Sequence, residues 1–477
     1  MFVFTASFFS GCADDYLDAD QTESIPTKDL ELFNDNAGAT TFVNSIYEKF
    51  LDWDTTSFGW IGIASITTDD ADKGSSPGDE GGDKKVLDDL TYNASTPAFD
   101  ENFRAYYSGI NRCNQALNII PQLDKADPAL RARLIGEAKF LRAFMYFTLV
   151  KFYGGVPIVD HVPVALSESD KIMQLTRKTA PEVYAFIEKD LNEAAEALPL
   201  KSAYPANEKA RVSKGSAYAL LAKVSLYQKK WQEVVKNCDL VTGYSLDPDY
   251  QHQFKKEGEN GVESIFEING VGTTPAKGIQ QYSQTQGARG TGGWGWGFNT
   301  PSLSLVNAYE PGDIRKAATI IFRGTTLYDG REVPTTVENE RYNYKAYSSE
   351  FTGADDSDAN VIFIRYAEVL LMKAEALNEL GQTSQAIPLL DQIRERAHLP
   401  KTTFTSQADI RTAIWRERRV ELAMEFDRYF DLVRTGQAKA AFAADGKVFT
   451  EGKNELFPIP DLFIKEAGGL SKQNPGY

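Results

Sequence analysis

Residues 366–397 read YAEVLLMKAEALNELGQTSQAIPLLDQIRERA and carry two apolar stripes at helical spacing. The first stripe is Tyr366, Leu370, Ala374 and Leu377, and the second is Ala386, Leu389, Leu390 and Ile393. Between them lies the polar joint 381–384, which begins with glycine, and glycine commonly follows the last turn of a helix. The stretch therefore predicts a helix–turn–helix pair.

A similar pair lies earlier in the chain. Its first stripe is Ala217, Leu220, Leu221, Val224 and Tyr227, and its second is Trp231, Val234, Val235, Cys238 and Val241. In both pairs a small residue precedes a packing residue of the partner helix by twelve positions, Ala222 before Val234 and Ala374 before Ala386. This resembles the tetratricopeptide unit, in which small residues let two helices approach closely. We therefore predict an all-α fold with a tetratricopeptide-like helical scaffold.

Two further helices have clear boundaries. Residues 129–153 are apolar on two faces and stop at Gly154-Gly155, which predicts a deeply buried helix and a candidate half of a third repeat. The segment Thr179-Ala180-Pro181-Glu182 has the pattern of a capping box with proline in the first turn, so a helix should begin there.

Residues 52–104 and 243–360 differ from this pattern. The first stretch is rich in Gly, Asp, Ser and Pro, and the second in Gly, Thr and Tyr, with short possible strands at 264–268 and 318–322. Loops of this length inside a compact protein are usually functional or disordered, and the many aromatic residues favour ordered, functional loops. We predict one domain over residues 12–477 that carries these two irregular excursions.

Composition excludes several functions. The formal charge of −16 disfavours a nucleic-acid partner, because an acidic surface repels phosphates. The three histidines are scattered without metal-ligand spacing, and we predict neither a metal site nor a cofactor. Cys113 and Cys238 lie in amphipathic patterns typical of core thiols, although export would leave a disulfide between them open.

Two motif matches carry little weight. Residues 74–78 fit GxSxG, but Pro77 follows the serine and has no N–H to donate to an oxyanion. Residues 290–295 fit GxGxxG, but no buried strand precedes them, as a dinucleotide site requires.

Acidic residues cluster at 69–72. A solvated acidic loop is the simplest interpretation, a polar ligand contact the next, and catalysis the least favoured. The spacing loosely resembles a Ca²⁺ loop, but Gly81 stands where the twelfth-position glutamate belongs. Farther on, charges at 417–431 recur three residues apart, which predicts ion pairs that lock a helix rather than an active site.

Large rings occur among glycines at Trp294-Gly295-Trp296-Gly297-Phe298. Flat aromatic rings can stack on the apolar face of a sugar while neighbouring polar groups bind its hydroxyls. The alternative is that these rings pack into the helical scaffold. We expect one tryptophan to face solvent and the other to face the scaffold.

The N-terminal stretch FFSGCADDYLD, residues 8–18, places Cys12 after a short apolar run that is too short to span a bilayer. Small residues before a cysteine resemble a bacterial lipoprotein signal, which predicts a signal peptide over 1–11 and lipid attachment at Cys12. The basic residues that usually precede such a run are missing, so we expect a few further residues upstream of Met1. A disordered terminus or a disulfide partner are the alternatives.

Segments along nearly the whole chain together resemble the SusD/RagB family of Bacteroidetes outer-membrane nutrient-binding lipoproteins. In chain order they are RCNQAL (112–117), GEAKFLRAFMYFTLVKFYGGVPIV (136–159), RVSKGSAYALLAKVSLYQKKW (211–231), WGFNTPSLSLVNAYEPGDIR (296–315), RYAEVLLMKAEALNELG (365–381), ERRVELAMEFDRYFDLVRTG (417–436), FPIP (457–460) and QNPGY (473–477). This chain departs from the family at Phe426, where glycine is common, and at 467–470, which lacks the usual asparagine.

The resemblance implies a SusD-like, surface-exposed lipoprotein of the outer membrane that closes a SusC-like TonB-dependent transporter. It implies binding of glycans for nutrient uptake without cleavage, and Asp14 and Asp15 resemble a surface-export signal. A peptide-binding importer of the RagB type is the alternative, and a glycoside hydrolase using Asp69–Asp72 is less favoured.

No binding residue follows from the family motifs, so we chose candidates by aromatic and polar content. The predicted stacking residues are Trp60, Tyr282, Trp294 and Trp296, and the predicted polar contacts are Asp70, Asp72, Lys73 and Arg289.

Overall fold

The computed structural model describes residues 30–164, 167–272, 277–349 and 356–477. Cys12, Asp14, Asp15 and the predicted signal peptide lie outside these residues. No helix of the described part is long and apolar enough to cross a membrane.

Helices form most of the chain. In the first half they are α1 Asn36–Lys49, α2 Trp53–Thr56, α3 Phe58–Ile61, α4 Val86–Asp88, α5 Pro97–Ile119, α6 Pro128–Tyr153, α7 Glu168–Leu175, α8 Ala180–Ala197, α9 Lys214–Tyr227 and α10 Trp231–Asp239. In the second half they are α11 Tyr282–Gln286, α12 Leu303–Ala308, α13 Arg315–Thr319, α14 Tyr366–Glu379, α15 Thr383–Arg396, α16 Gln407–Glu421, α17 Arg428–Arg434, α18 Ala438–Ala444 and α19 Asp461–Ala467.

The long helices stack in an ordered series. Helix α6 packs against α5 and α8, α9 packs against α8 and α10, and α14 packs against α10, α15 and α16. Both predicted helix–turn–helix pairs are present as α9/α10 and α14/α15. The predicted all-α, tetratricopeptide-like scaffold is therefore confirmed.

Local sequence explains where these helices begin and end. The Thr179 side chain accepts a hydrogen bond from Glu182 N, and Glu182 bonds back to Thr179, so the predicted capping box starts α8. Helix α6 is buried on most of its circumference, as its two apolar faces predict, and it ends where Gly154 adopts a φ of 71°.

The strands pair into four antiparallel two-stranded ladders. They are β1 Ala71–Gly74 with β4 Phe298–Pro301, β2 Ser264–Ile268 with β8 Val361–Arg365, β3 Ile279–Gln280 with β7 Asp356–Ser357, and β5 Ile320–Phe322 with β6 Arg341–Asn343. The strand predicted at 264–268 is confirmed, whereas the one predicted at 318–322 begins only at Ile320 because α13 occupies the preceding residues. The ladder β2/β8 packs on α9 and α14 and joins the second excursion to the scaffold.

In their described residues the two excursions contain regular elements as well as loops. The first contains α2, α3, α4 and two short π-helical segments, Gly62–Ile66 and Gly81–Lys85, and α5 already begins inside its predicted limit of residue 104. One hydrophobic cluster runs from Ala39 to Ala467 and includes residues of both excursions. Cys113 and Cys238 are buried in it and are not joined to each other.

The charges of 417–431 form a buried network, but its partners differ from those predicted. Arg418 binds Glu368 at 2.7 Å and Asp431 at 2.7 Å, and Arg428 binds Asp69 at 2.8 Å. The prediction of pairs three residues apart along one continuous helix is wrong, because α16 ends at Glu421 and the chain turns before α17. The network instead ties several elements together.

Candidate functional site

The two excursions meet at the ladder β1/β4. Asp72 is the register partner of Thr300, and Gly74 is the partner of Phe298. Gly74 has a φ of 69°, and a Cβ there would lie 2.2 Å from the carbonyl oxygen of Gly297, so the close approach requires glycine. This junction fixes the segment that carries Trp294 and Trp296 against the first excursion.

The glycines around these tryptophans allow the chain to fold back on itself. The N–H of Trp296 donates to the carbonyl of Gln284 at 2.7 Å, and that of Gly297 donates to Gly287 at 2.9 Å. A Cβ on Gly295 would lie 2.4 Å from the Gln284 oxygen. The turn sends the two tryptophan rings to two different aromatic groups.

The first group contains Trp53, Phe58, Trp296 and Phe298. The rings of Trp53 and Trp296 are 5.9 Å apart and nearly perpendicular, while Phe58 lies 4.9 Å from both Trp53 and Phe298. Both phenylalanines are buried, whereas the two tryptophans, here called the tryptophan pair, are half-buried. Each excursion contributes one ring to the pair, and both rings are partly exposed to solvent.

Asp54 and Glu101 lie at α3, whose first residue Phe58 packs on Trp53. A Cβ on Gly59 would have the Asp54 carbonyl and a Glu101 carboxylate oxygen within 4 Å, which places both residues at α3. Burial raises the pKa of Asp54 and of Glu101; the charge of Asp52 further raises the pKa of Asp54, and the charge of Asp54 further raises that of Glu101. Partly desolvated carboxylates next to rings are suitable acceptors for ligand hydroxyls.

Arg289 forms a clasp between the excursions. Its guanidinium lies 2.8 Å from Asp79 Oδ2 and 3.1 Å from Glu338 Oε2. Ser76 Oγ also donates to Glu338 at 2.7 Å. The predicted polar ligand contact at Arg289 is thus already engaged in holding the loop at 75–80.

A cleft of about 280 Å³ opens next to this clasp. Its lining residues come from β1, β4 and the 338–341 segment, namely Asp72, Gly74, Thr300, Glu338, Asn339, Glu340 and Arg341. The Asp72 carboxylate is 4.0 Å from Arg341 and is about half exposed, and burial together with the charge of Asp88 raises its pKa. Of the predicted polar contacts, Asp72 is the most open to a ligand.

The second aromatic group surrounds Trp294. The ring of Trp294 is 5.6 Å from Tyr347, which in turn lies 5.8 Å from Tyr328 and 5.9 Å from Tyr344. The Arg331 guanidinium lies 5.1 Å from the centre of the Trp294 ring. Trp294 is half-buried among these side chains, so neither tryptophan points simply outward or inward as expected.

Four of the eight predicted contacts are buried. Trp60 is 2% exposed, with Tyr106 and Phe152 stacked against its ring, and Tyr282 is 3% exposed. Neither ring has a face open to a sugar, and residues of α5 and α6, distant in sequence, cover that of Trp60. The prediction that Trp60 and Tyr282 stack on a ligand is therefore wrong.

The buried polar candidates are occupied by protein groups. Asp70 is bound by Arg419 at 2.7 Å, and the Lys73 ammonium donates to the carbonyls of Ser76 and Asp79 at 2.7 and 2.8 Å. Neither side chain can bind a ligand without losing these partners. The interpretation of 69–72 as a solvated acidic loop is likewise wrong for Asp69 and Asp70, which are buried ion-pair partners.

Sequence reasoning missed Trp53. Its place at the start of the first excursion, in the run LDWDTTSFGW, was a usable signal, because rings and small residues occur together there as they do in the 294–298 segment. Among the described residues no group of three or more His, Cys, Asp or Glu side chains is arranged to hold a metal ion.

Family comparisons match most of the chain. A model described as the SusD family matches residues 262–477, and a SusD-like model described as starch-binding and associating with the outer membrane matches residues 62–226. The chain belongs to the SusD/RagB family. The two models together include most of both excursions and most of the scaffold between them.

Relatives of this SusD/RagB protein agree over nearly their full length. SusD-like protein P2 of Formosa agariphila is 28% identical over 440 residues, which is 84% of this chain and 85% of the relative. A solved laminarin-binding SusD-like protein is 28% identical with a TM-score of 0.78, and the match covers 92% of this chain and 99% of that one. A SusD-like protein of Bacteroides fragilis is 25% identical with a TM-score of 0.78 over 93% of this chain and 98% of that one.

Proposed function

We propose that this protein binds glycans at the cell surface and delivers them to a SusC-like TonB-dependent transporter for nutrient import, without cleaving them. The observation that carries the proposal is the tryptophan pair, which presents two half-buried rings across the junction of the excursions. The laminarin-binding protein of the same fold supports a carbohydrate as the ligand class.

The binding mechanism follows from this geometry. A sugar ring would place its apolar face on Trp53 or Trp296, while Asp54 and Glu101 accept hydrogen bonds from its hydroxyls. Asp72 would serve a neighbouring sugar in the adjacent cleft. Because stacking and a few hydrogen bonds must offset the cost of ordering the ligand, we expect modest affinity for a single chain end.

Affinity electrophoresis tests this proposal. The protein is run through gels containing laminarin, starch, xylan or pectin, and we expect retardation by one of them. A Trp53→Ala/Trp296→Ala double variant should lose most of that retardation. Trp231→Ala, which changes a half-buried tryptophan on the scaffold, is the matched control and should retain it. Unchanged retardation of the double variant would show that the tryptophan pair is not the binding surface.

A peptide ligand is the alternative for the same fold. If none of the polysaccharides retarded the protein while a peptide library was retained, a peptide-binding importer would replace the glycan proposal.

Catalysis by Asp69–Asp72 has less support. Arg428 and Arg419 bind Asp69 and Asp70, which are both 2% exposed, so these carboxylates are not free to act on a glycosidic bond. We expect no release of reducing sugar from the retained polysaccharide. Release that disappeared in Asp70→Asn would contradict a purely binding role.

Anchoring is proposed to occur through a lipid on Cys12, with Asp14 and Asp15 directing the protein outward. Cells expressing the full precursor and labelled with a palmitate analogue should show a labelled protein that protease removes from intact cells. Cys12→Ser should be unlabelled and should leave the membrane fraction in a high-salt wash. Co-purification of the lipidated protein with a SusC-like transporter after mild solubilisation tests the delivery step.

A further inference from the structure

A cavity separate from the tryptophan pair lies beside the second aromatic group. Its volume is about 400 Å³, which is in the range of small-ligand sites. Three segments of the second excursion form its walls: residues 249–251, residues 314–318 around α13, and the tyrosine-bearing turn at 326–328 with Tyr344. It shares no lining residue with the tryptophan pair or the Asp72 cleft.

The tyrosines of this cavity are held in place before any ligand arrives. Tyr328 is 38% exposed, and its ring stacks on Tyr344 at 6.1 Å with an interplanar angle of 17°. The backbone N–H of Tyr328 donates to the Tyr344 hydroxyl at 3.2 Å. Tyr347 packs edge-on against both rings, and its hydroxyl donates to Asp329 at 2.5 Å. A rigid aromatic wall reduces the entropy lost on binding.

The remaining walls combine an apolar floor with a polar rim. Ala317, Ala318 and Leu327 supply small apolar surface, while Gln251 and Thr326 supply polar groups at the edge. Of the described lining residues Asp249 alone is charged. No lining residue offers a cation to a phosphate or a uronate, and the Lys255 ammonium is already placed 4.8 Å from the centre of the Tyr328 ring. A neutral, hydroxyl-rich ligand would meet both apolar surface and hydrogen-bond partners.

Ring contacts connect this cavity with Trp294, next but one in the chain to Trp296. Trp294 lies 5.6 Å from Tyr347, and Tyr347 lies 5.8 Å from Tyr328. Trp294 is separated from Trp296 by one glycine, so a single turn of the chain joins the two aromatic groups. A polymer that occupied both sites would follow the second excursion from the tryptophan pair to the cavity.

We infer that the Tyr328–Tyr344 cavity is a second carbohydrate-binding site, occupied by a neutral sugar unit of the same polysaccharide that lies on the tryptophan pair. This inference rests on the proposed glycan-binding function and adds a second attachment point. Two linked contacts raise the affinity for a polymer well above that for a short oligosaccharide, because the second contact is intramolecular.

The experiment fills the cavity without disturbing the first site. Ala317 is exposed on the cavity wall, so Ala317→Trp should block it, and Ala317→Ser is the matched control. Asp249→Ala is a second variant at an exposed position, for use if the large side chain impairs folding. Binding of the retained polysaccharide and of its hexasaccharide is measured by titration calorimetry, with thermal unfolding as the test of folding.

We expect two hexasaccharides per wild-type protein and one for Ala317→Trp, and a loss of polymer affinity of about tenfold or more from removal of one linked contact. Trp53→Ala/Trp296→Ala should also leave one hexasaccharide. If the wild type binds polysaccharide but Ala317→Trp and Asp249→Ala bind it equally well, the second site is refuted and glycan binding stands. If the wild type binds none of the polysaccharides, both proposals fall.

Discussion

Phe426 occupies a backbone conformation that favours glycine. Its φ is 73°, and Met424, two residues earlier, also has a positive φ of 64°. The resemblance to the SusD/RagB family includes a glycine at this position in many members, and the φ value supplies the physical reason. Here the phenylalanine ring lies 5.7 Å from Trp60 and is 5% exposed, so core packing offsets the backbone strain.

Replacing Phe426 separates these two effects. Phe426→Ala should lower the free energy of unfolding by about 3–5 kcal/mol, as expected for a buried ring. Phe426→Gly loses the same ring but relieves the strain, so it should be more stable than the alanine variant by about 1–2 kcal/mol. Urea unfolding of both variants measures the order, and a glycine variant less stable than the alanine variant would contradict backbone strain at this position.

Glu259 makes stability depend on pH. Burial is the largest cause of its raised pKa, which reaches about 7, while Lys256 at 3.2 Å opposes the shift. The folded state therefore holds the proton more tightly than the unfolded chain. The stabilisation is fully present below the ordinary glutamate pKa of about 4.3 and is lost as the pH rises to about 7.

Glu259→Gln should remove this pH dependence. We expect its free energy of unfolding, relative to the wild type, to increase between about pH 4.5 and 7 by about 1–2 kcal/mol, a value reduced for partial solvent screening. Guanidinium unfolding across this range measures the difference. A constant difference would show that the Glu259 carboxyl titrates alike in both states.

The sequence identified aromatic residues that could bind a ligand, but it did not show which of them are exposed to solvent. Trp60 and Trp296 both lie among glycines and small residues in the sequence, yet Trp60 is covered by Tyr106 of α5 and Phe152 of α6. These contacts join residues distant in the chain, and no local pattern encodes them. Asp70 shows the same limit, because its partner Arg419 comes from α16.

At the level of secondary structure, local sequence patterns were sufficient to predict where helices begin and end. The capping box at Thr179 and the glycine stop at Gly154 both act within a few residues, so sequence alone located the boundaries of α6 and α8. The start of strand β5 was harder to predict, because it depends on pairing with β6, which lies about twenty residues later in the chain. The partners of the charged residues at 417–431 depend on where α16 ends.

Glu421 at the end of α16 is the centre of that network. It is fully buried and accepts hydrogen bonds from Arg365 at 2.5 Å and Arg315 at 2.9 Å, and also from Arg396. Burial raises its pKa, but these guanidinium groups lower it by more, so the carboxylate stays ionised. Its contribution to stability is present above the usual glutamate pKa and is lost as the pH falls through the folded value.

Glu421→Gln should destabilise the protein by about 3–5 kcal/mol at neutral pH, because it leaves buried guanidinium groups without their counter-charge. Glu451→Gln is the matched control, since Glu451 pairs with Lys439 at the surface and its loss should cost less than about 1 kcal/mol. Both are measured by chemical denaturation at pH 7. Equal losses in the two variants would mean that the network stabilises no more than a surface pair.

For the whole molecule, the excursions share the core of the scaffold. Phe363 of β8, for example, contacts Phe50 of the N-terminal region, Trp60 of the first excursion and Phe144 of α6. The predicted single domain of residues 12–477 stays a prediction, and unfolding tests it. If the excursions and the scaffold form one unit, neither should melt alone.

Two spectroscopic probes distinguish these parts. Far-ultraviolet circular dichroism follows the helical scaffold, whereas four of the six tryptophans, at 53, 60, 294 and 296, lie in the excursions and dominate the fluorescence. We expect both signals to change at the same denaturant concentration in a single transition. Glu421→Gln should lower both midpoints equally, because its partners come from α13, β8 and α15. Fluorescence that changed first would show that the excursions unfold as a separate unit, and the binding surfaces would then be less rigid than glycan recognition by preformed rings requires.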